Sequence, residues 1–388
     1  MATNARGGVL LLSSSYPSPT ARTRGAFVED IAHGLRERWP VTAVAPLIYP
    51  DDPRAETRNG IPVTRFEFGS RGVLLKEYGG TPILLMLRYM FRGLLATIGQ
   101  ARRQRVIFAH WVVPAGVIGA AASWLTGRPL AVYAHGSDIN VYADKSALYR
   151  VLTRFVLRRA RHVFAVSEPI RERLATRWGV PEERLSLIPC GVDTATFFPA
   201  EAPPEGPPRV IFVGDLVPAK GVPELVEAAL ALAAEGLDFT LEIIGDGPLR
   251  ESLAGRVEEA GVNTAVSLSG PLPRGEVAAR MRAAHLLVLP SHNEGTPVCV
   301  MEALSSGTPV IATRVGGIPD LVEHDTDGVL VPARDVPVLT HALRRLICHP
   351  EELARLRDGA VQVGERFSLI HRRAEVTEAL ARAFPELG

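Results

Sequence analysis

Short apolar runs alternate with longer segments of helical periodicity along most of the chain. Runs of four or five Val, Ile and Leu residues are typical of strands buried on both faces, and their alternation with helices predicts parallel sheets. Because the series occurs twice, we predict an α/β fold with two doubly wound parallel sheets. The predicted strands lie at 9–12, 41–45, 106–109, 130–134, 163–166 and 185–188 in the first series, and at 210–213, 240–244, 265–268, 286–289 and 310–312 in the second.

A proline-dense segment separates the two series. Residues 196–208 contain five prolines and no helical periodicity, which is typical of an extended linker between domains. We therefore predict a first domain over 1–195, a linker over 196–208 and a second domain over 209–365. The last segment, 366–388, regains helical spacing.

Two glutamates eight residues apart bracket a short polar loop and the start of an apolar helix. Glu294 follows the strand 286–289, Glu302 lies about two turns into the helix, and Gly307 ends it. A helix that begins near Thr296 directs unpaired backbone N–H groups and a positive dipole end at the loop, which suits a diphosphate. The candidate donor-binding residues of this segment are Glu294, Gly295, Thr296, Pro297, Val298 and Glu302.

The two glutamates have different expected roles. Glu302 would accept hydrogen bonds from a ribose diol, whereas Glu294, also a candidate catalytic residue, would hold sugar hydroxyls at the loop entrance. An alternative stays open, in which Glu294 caps the helix and Glu302 is a solvated helix residue.

Further candidates follow other strands, because ligands of open parallel sheets bind beyond the carboxyl ends of the strands. Gly25 precedes the first helix and would let the backbone approach a phosphate. His135 follows the strand 130–134, and Gly214 and Lys220 follow the strand 210–213. These positions form two half-sites, one in each domain.

This set of side chains suits the transfer of a sugar from a nucleotide sugar. The leaving diphosphate develops negative charge, which Lys220 and the helix start near Thr296 would stabilise. His135 would hydrogen-bond a sugar hydroxyl or the phosphate. The open alternatives are that His135 caps a turn and that Lys220 is a surface lysine.

Positive and negative charges are divided unevenly between the two halves of the chain. Residues 1–195 hold 26 Lys and Arg against 15 Asp and Glu, whereas the remaining residues hold 17 against 27. Arg88 and Arg92 recur at helical spacing among leucines and phenylalanine, which suits an anionic membrane surface or an anionic acceptor. A solvated helix face is the alternative, and nucleic acid is not expected because no aromatic-interleaved basic motif is present.

Composition narrows the class of protein. With 388 residues, 47% of them hydrophobic, the chain is long enough to bury two cores. The start of the chain lacks the features of a secretory signal, and three widely spaced cysteines favour a reducing interior, so we expect a cytoplasmic location. No Asp-x-Asp motif stands at a strand end and no histidine cluster has metal-ligand spacing, so no metal is expected.

Several short motifs, taken in order, resemble those of the retaining glycosyltransferases built from two Rossmann domains, the GT-B type, and in particular family four, which is common in bacterial polysaccharide and cell-envelope synthesis. The resemblance runs almost end to end. The motifs are Tyr16-Pro17, Gly25-Ala26-Phe27-Val28-Glu29, His110-Trp111, Ala134-His135-Gly136-Ser137-Asp138, Pro189-Cys190-Gly191-Val192-Asp193, the segment from Val213 to Gly221, Gly245-Asp246-Gly247-Pro248, the paired glutamates and Gly316-Gly317-Ile318-Pro319-Asp320.

The resemblance implies two Rossmann-like domains that face each other across a cleft, with the terminal helix 366–388 crossing back onto the first. It implies a nucleotide-diphosphate sugar as donor, a glycan or lipid-linked acceptor, retention of anomeric configuration and neither metal nor cofactor. His135, Lys220 and Glu294 are the implied catalytic residues. His110, Asp138 and Asp215 are candidates to contact the acceptor or to support the residues that do.

One departure from the family pattern concerns the diphosphate. Many relatives carry an arginine after the glycine of the second domain's first strand, where this chain has Asp215. Two explanations are open. In one, Lys220 supplies the positive charge together with either Arg24 or Arg314. In the other, Asp215 faces an acceptor or a helix end. For the function as a whole, two alternatives stay open. One is another enzyme of the same architecture, such as a sugar phosphorylase or nucleotide-sugar epimerase, and the other, suggested by Asp215, is a non-catalytic nucleotide-sugar binding protein.

Overall fold

Within the described residues, fourteen strands form two separate sheets. The computed structural model describes residues 7–21, 25–70, 72, 83–136, 139, 146–262 and 264–388. These residues form two units, one made of residues 1–189 with 372–388 and the other of residues 190–371. None of the helices within the described ranges has the length and apolarity that a membrane span requires.

The first unit contains eight strands and six helices among its described residues. Its elements are β1 (Val9–Ser13), α1 (Ala26–Arg36), β2 (Val41–Leu47), β3 (Ala55–Arg58), β4 (Ile61–Glu67), α2 (Ile83–Ala101), β5 (Val106–His110), α3 (Val117–Thr126), β6 (Leu130–Ala134), α4 (Ala147–Arg159), β7 (His162–Ala165), α5 (Glu168–Thr176) and β8 (Leu185–Leu187), with most of the C-terminal helix. The sheet order is β3-β4-β2-β1-β5-β6-β7-β8, and only β3 is antiparallel to its neighbour.

The second unit is built on a six-stranded sheet in which all neighbouring strands are parallel. Its elements are β9 (Arg209–Val213), α6 (Val222–Ala234), β10 (Thr240–Ile244), α7 (Arg250–Glu259), β11 (Val266–Gly270), α8 (Arg274–Ala283), β12 (Leu286–Leu289), α9 (Val298–Ser305), β13 (Val310–Thr313), β14 (Gly328–Val331), α10 (Val336–Cys348) and α11 (Pro350–Gly364). The order is β11-β10-β9-β12-β13-β14. The predicted α/β fold with two Rossmann-like parallel sheets is confirmed.

Apolar periodicity explains how the helices pack on these sheets. In α1 the buried residues Val28, Ile31, Ala32 and Leu35 follow the spacing of one helix face. The strands β5, β6, β12 and β13 are buried along their whole length, as expected of central strands covered on both faces.

Each sheet has a point at which the strand order reverses. From β1 the chain moves to β2 on one side and later to β5 on the other; from β9 it moves to β10 and later to β12. Loops that follow the strands on the two sides of such a point diverge and leave a crevice for ligands. The topology therefore marks the loops after β1 and β5, and those after β9 and β12.

The segment 196–208, predicted as an extended linker, packs against the second unit. Phe197 is completely buried in the core of the second unit, Arg282 donates to the carbonyl oxygen of Thr196, and Arg357 donates to that of Ala200. Prolines exclude regular structure but leave side chains able to pack, and here an aromatic ring in the segment does so.

The C-terminal helix α12 (Leu369–Ala383) supplies packing residues to the first unit, which contains residues 372–388. Arg373 forms an ion pair with Asp30 of α1 at 3.2 Å, and a Cβ atom on Gly34 would lie 2.5 Å from Cβ of Arg373. Leu380 and Phe384 are fully buried. The end of the chain is thus part of the first unit's core.

Candidate active site

The loops after β9 and β12 meet at the reversal point of the second sheet. Gly221, with a φ of +68°, ends the loop after β9, and a Cβ atom there would lie 2.0 Å from the carbonyl oxygen of Pro290. The backbone N–H of His292 donates to the carbonyl of Ala219 at 2.8 Å. Only glycine fits this close approach, which brings Lys220 beside the residues that follow β12.

Lys220 and Glu294 form an ion pair. Nζ of Lys220 donates to Oε1 of Glu294 at 2.6 Å, and Oγ of Ser291 donates to the same oxygen at 2.7 Å. The side chain of Glu294 is 8% exposed and that of Lys220 is 24% exposed. Burial alone would lower the pKa of Lys220, but the charge and hydrogen bond of Glu294, together with the smaller effects of Cys299 and Asp215, outweigh it and raise that pKa, so the ammonium stays charged.

A second close approach fixes the backbone of Glu294 from the other side. Gly316, with a φ of +55°, packs so tightly that a Cβ atom would lie 1.9 Å from the carbonyl oxygen of Glu294. The N–H of Gly317 donates to the carbonyl of Gly295 at 2.8 Å. The loops after β9 and β13 therefore hold the paired-glutamate loop between them.

The helix α9 begins directly after this loop. Pro297 precedes the first helical residue, Val298, so the helix starts two residues later than the Thr296 predicted from sequence. Its first N–H groups and the positive end of its dipole follow four residues after Glu294, the partner of Lys220. Burial raises the pKa of Cys299, in the first turn of α9, to about 12. The charges of Lys220, Glu294 and Glu302 also act on this pKa, so all three side chains lie near the first turn.

Glu302 lies inside the second unit with only 13% of its side chain exposed. Burial raises the pKa of its carboxyl to about 7, and the guanidinium of Arg274, 3.6 Å away, offsets part of that effect. Glu302 is therefore not the solvated helix residue of the alternative interpretation.

Gly214 and Asp215 follow β9 directly. A Cβ atom on Gly214 would meet the ring of Phe212 at 3.3 Å, and one on Gly245 would lie 1.9 Å from the carbonyl oxygen of Gly214. The side chain of Asp215 is exposed, and its charge contributes to the raised pKa of Lys220. Arg314 is exposed after β13, and Arg24 lies outside the described residues.

In the first unit, His110 and His135 come together at the ends of the neighbouring strands β5 and β6. Their rings stack with centroids 5.2 Å apart, and Nδ1 of His110 lies 3.1 Å from Nε2 of His135. Burial lowers the pKa of His135 to about 3 and lowers that of His110 well below its ordinary value. Both imidazoles are neutral at physiological pH.

The hydrogen bonding of the pair indicates the tautomer of each ring. Nε2 of His110 is buried without a partner among the described residues. Because an unpaired N–H donor is costly, we assign the proton of His110 to Nδ1, which donates to Nε2 of His135. The proton of His135 is then on Nδ1.

Aromatic side chains surround this histidine pair. Trp111 has a φ of +71°, uncommon for a non-glycine residue, and its ring lies 4.8 Å from that of His135. Phe27, at the start of α1, lies 4.9 Å from His135. Gly25 has a φ of +74° and packs against the carbonyl oxygen of Ser15, so the turn itself requires glycine. Asp138, a candidate from sequence, lies outside the described residues.

The structure therefore brings the candidates together as two sets. Lys220, Glu294 and Glu302 lie around the start of α9 in the second unit, and Gly25, His110 and His135 lie around Phe27 in the first. Sequence reasoning missed Arg274. Arg274 is the first charged residue after β11. A search for site residues beyond the carboxyl ends of the strands would have found it if the search had extended past Pro273.

Two family models match the chain. The model described as glycosyl transferases group 1 matches residues 193–363, and that described as a glycosyl transferase 4-like domain matches residues 25–191. The 2-deoxystreptamine glucosyltransferase of Streptomyces kanamyceticus is 33% identical over 280 residues, which are 67% of this chain and 72% of the relative.

Solved structures show the same fold. The sucrose-phosphate synthase of Thermosynechococcus elongatus superimposes with a TM-score of 0.79 at 20% identity, over 98% of this chain and all of that one. The Anabaena protein HepE, in complex with UDP, superimposes with a TM-score of 0.76 at 20% identity, over 97% of this chain and all of that one. With the paired glutamates and both family models in place, the chain belongs to the group 1 glycosyltransferases of the GT-B fold and is a glycosyltransferase.

Proposed function

We propose that the chain moves a sugar from a nucleotide-diphosphate sugar to a hydroxyl group of a glycan, a lipid-linked sugar or another small acceptor. The observation that carries the proposal is the arrangement of Lys220, Glu294 and Glu302 around the start of α9, at the reversal point of the second sheet. A cation, a helix N-terminus and a buried carboxyl group there match the diphosphate and ribose of such a donor.

In this proposal Lys220 and the first N–H groups of α9 hold the diphosphate. The Lys220 ammonium has three N–H donors, one of which bonds Glu294. Glu302 accepts hydrogen bonds from the ribose diol, and Glu294 holds hydroxyls of the sugar. The structures of HepE with UDP and with UDP-glucose support a nucleotide sugar as the class of donor.

The fixed hydrogen-bond donors of this site support catalysis without a metal ion or another cofactor. Negative charge that develops on the leaving diphosphate is stabilised by preorganised donors aimed at it, and Lys220 with the helix N-terminus supplies both charge and donors.

Retention of anomeric configuration follows in the proposal from attack on the face that the diphosphate leaves. The leaving phosphate oxygen accepts the proton of the acceptor hydroxyl as the new glycosidic bond forms. The carboxylate of Glu294 is engaged by Lys220 and Ser291, so it orients groups and does not act as a nucleophile. His135, as a neutral imidazole, donates its Nδ1 proton to a sugar hydroxyl or a phosphate oxygen.

We further propose that the enzyme acts in the cytoplasm and meets its acceptor at the anionic inner face of a membrane. The net positive charge of residues 1–195 and the exposed Arg88 and Arg92 of α2 support this location.

Nucleotide binding tests the donor site first. Thermal stability is measured with UDP, GDP, ADP and CDP for the wild type and for Glu302→Ala, with Glu276→Ala, an exposed residue of α8, as the control. Ligand at a hundred times its dissociation constant stabilises by about 2.7 kcal/mol. A shift with one nucleotide that only Glu302→Ala loses supports the proposal; no shift with any nucleotide contradicts it.

Product analysis tests the reaction. The matching nucleotide sugar is incubated with simple glycosides as acceptors, with and without EDTA, and the anomeric proton of the product is read by NMR. An α-linked product from an α-linked donor, formed equally with EDTA, is the expected result. Inversion or loss of activity with EDTA contradicts the proposed mechanism, and binding without product or hydrolysis favours a non-catalytic binding protein.

A further inference from the structure

Large apolar side chains are exposed mainly on three helices of the first unit. Of the fifteen exposed large hydrophobic residues within the described part of the chain, ten lie on α2, α3 and α4. They are Ile83, Leu84, Leu87, Phe91 and Leu95 of α2, Trp124 and Leu125 of α3, and Leu148, Val151 and Phe155 of α4.

These helices are neighbours within the unit. A Cβ atom on Gly93 of α2 would lie 2.7 Å from Cδ1 of Ile118 in α3, so the two helices cross closely. Arg159 of α4 donates to the hydroxyl and the carbonyl of Ser123 in α3, both at 3.0 Å. The exposed residues of α2, α3 and α4 thus belong to one packed layer, which we call the apolar–arginine face.

The helices α2 and α4 each expose a stripe of apolar side chains with arginines beside it. In α2, Leu84, Leu87, Phe91 and Leu95 follow helical spacing while Tyr89, Gly93 and Thr97 are buried on the opposite side. In α4, the exposed Arg150, Arg154 and Arg158 run beside Leu148, Val151 and Phe155. The three helices contain six arginines and no Asp or Glu.

A cavity borders this face at α4. It is open to solvent on one side, has a volume of about 100 Å³ and is lined by Arg154, Leu157, Arg158, Trp178, Gly179, Val180 and Arg184. Nε1 of Trp178 and Nε of Arg184 are buried and have no hydrogen-bond partner within the described ranges. Three guanidinium groups and two unpaired N–H donors form a suitable environment for a phosphate group.

Charge decides which partner fits the face. A symmetric dimer through it would set the arginines of one copy against those of the other, and like charges at an interface are unfavourable. An anionic bilayer offers acyl chains for the leucines and phenylalanines and phosphates for the arginines, the combination that interfacial amphipathic helices use.

We propose that the apolar–arginine face docks on an anionic bilayer, with its leucines and phenylalanines among the headgroups and its arginines on lipid phosphates, one of which occupies the cavity beside Arg154 and Arg158. This inference deepens the proposed encounter with an acceptor at a membrane, and it does not depend on the chemistry of transfer.

Flotation with vesicles tests the proposal on the full chain. The wild type is expected to float with phosphatidylcholine vesicles that contain about one third phosphatidylglycerol, and more weakly in about 0.5 M salt. Arg88→Gln with Arg92→Gln is expected to lower the partition coefficient about thirtyfold, since each basic residue near an anionic surface contributes about fivefold.

A second pair of variants separates insertion from charge. Leu87→Ser with Phe91→Ser is expected to lower partitioning about a hundredfold, about tenfold for each side chain. Val361→Ser with Ile370→Ser removes two exposed apolar side chains elsewhere, and Arg280→Gln with Arg382→Gln removes two arginines outside the face. Both controls are expected to float like the wild type.

Several outcomes would overturn the inference. They are a wild type that stays with the buffer, equal binding to pure phosphatidylcholine, unchanged flotation of the Leu87/Phe91 variant, and a dimer in solution that the same variant dissociates. Thermal shifts with the nucleotides are measured on every variant. Nucleotide binding retained without flotation contradicts the bilayer inference alone, and flotation without any nucleotide shift contradicts the donor site alone.

Discussion

Glu302 is a buried carboxyl group whose pKa lies close to physiological pH. Burial raises that pKa to about 7, above the value of 4.5 for a free side chain. If the ionised form accepts hydrogen bonds from a ribose diol, a proton and the nucleotide compete for the same oxygen atoms. The affinity for a nucleotide then depends on pH in the range where a cell operates.

We expect the dissociation constant for UDP, or for whichever nucleotide binds, to rise as the pH falls below 7, by up to about tenfold for each pH unit. The phosphate of the nucleotide also titrates, near pH 6. The nucleotide titrates in the same way with the Glu302→Gln variant, which lacks only the carboxyl group. Calorimetry of the wild type and the variant from about pH 6 to pH 8 therefore isolates the effect of Glu302. Parallel pH profiles for the two would contradict the assignment.

The free energy of unfolding should depend on the ionisation of Glu302 in the opposite direction. Because the pKa of Glu302 is higher in the folded state, folding is favoured at low pH, and this stability is lost as the pH rises from 4.5 through about 7. Glu302→Gln is expected to flatten this part of the stability profile.

The ion pair of Lys220 with Glu294 is a second residue-scale feature with a measurable consequence. Lys220→Met would leave the carboxylate of Glu294 buried without its cation, which costs about 3–5 kcal/mol of unfolding free energy. The double variant Lys220→Met with Glu294→Gln should recover most of that loss. Urea unfolding measures all three proteins.

An exposed pair provides the control for this cycle. Arg344 and Glu235 are linked by hydrogen bonds at 2.9 and 2.5 Å, but both side chains are well exposed. Arg344→Met should therefore leave the unfolding free energy almost unchanged, because solvent screens an exposed ion pair. Equal losses for the Lys220 and Arg344 variants would mean that burial does not strengthen the first pair.

Sequence reasoning located these residues but not their partners. Lys220 and Glu294 were both found from their places after strands, yet they are 74 residues apart and no local pattern encodes that their side chains meet. Nor does any local pattern encode that Arg274, which sequence reasoning missed, lies 3.6 Å from Glu302. The exposure of Asp215 likewise depends on the path of the loop after β9.

At the scale of elements, the loop that carries Lys220 depends on one glycine. Gly221→Ala adds a Cβ atom 2.0 Å from the carbonyl oxygen of Pro290, in a residue with positive φ. We expect the loops after β9 and β12 to separate, which displaces Lys220 from Glu294. The expected result is a loss of nucleotide binding together with a loss of stability of several kcal/mol.

Gly236→Ala is the matched control. Gly236 has a φ of +80°, but an added Cβ atom has no atom within 4 Å. This substitution should cost only about 1 kcal/mol for the unfavourable backbone conformation and should leave nucleotide binding unchanged. Similar effects of the two substitutions on nucleotide affinity would show that the Pro290 contact does not position the site.

Strands were the elements that the sequence predicted best. All eleven predicted runs are strands, because central strands of parallel sheets are apolar on both faces and read as continuous runs. The hairpin of β3 and β4 was missed, although Asn59 and Gly60, both with positive φ, form the Asn-Gly turn that joins two short strands. β3 is polar and lies at the sheet edge, so it lacks the apolar signal.

At the scale of the whole molecule, the last residues of the chain stabilise the first unit. Phe384 is fully buried there, and Phe384→Ala should lower the stability of that unit by about 3–5 kcal/mol. Hydrogen exchange read by mass spectrometry should show faster exchange in β1, β5 and β6. Peptides from β9 to β14 should exchange as in the wild type.

Phe198→Ala makes the same substitution at an exposed ring in the second unit and should change exchange in neither unit appreciably. Faster exchange throughout both units of the Phe384 variant would mean that they unfold as one cooperative body.

The salt link between Lys220 and Glu294 also has a consequence for selectivity among anions. Inorganic phosphate is abundant in living cells, and an unpaired ammonium at a helix start would attract it. Here a carboxylate 2.6 Å away already neutralises that ammonium, so a small anion must compete with a built-in counter-ion. On the proposed assignment a nucleotide sugar gains contacts from the first N–H groups of α9 and from Glu302 that free phosphate lacks, so it binds beside the intact Lys220–Glu294 pair where free phosphate does not.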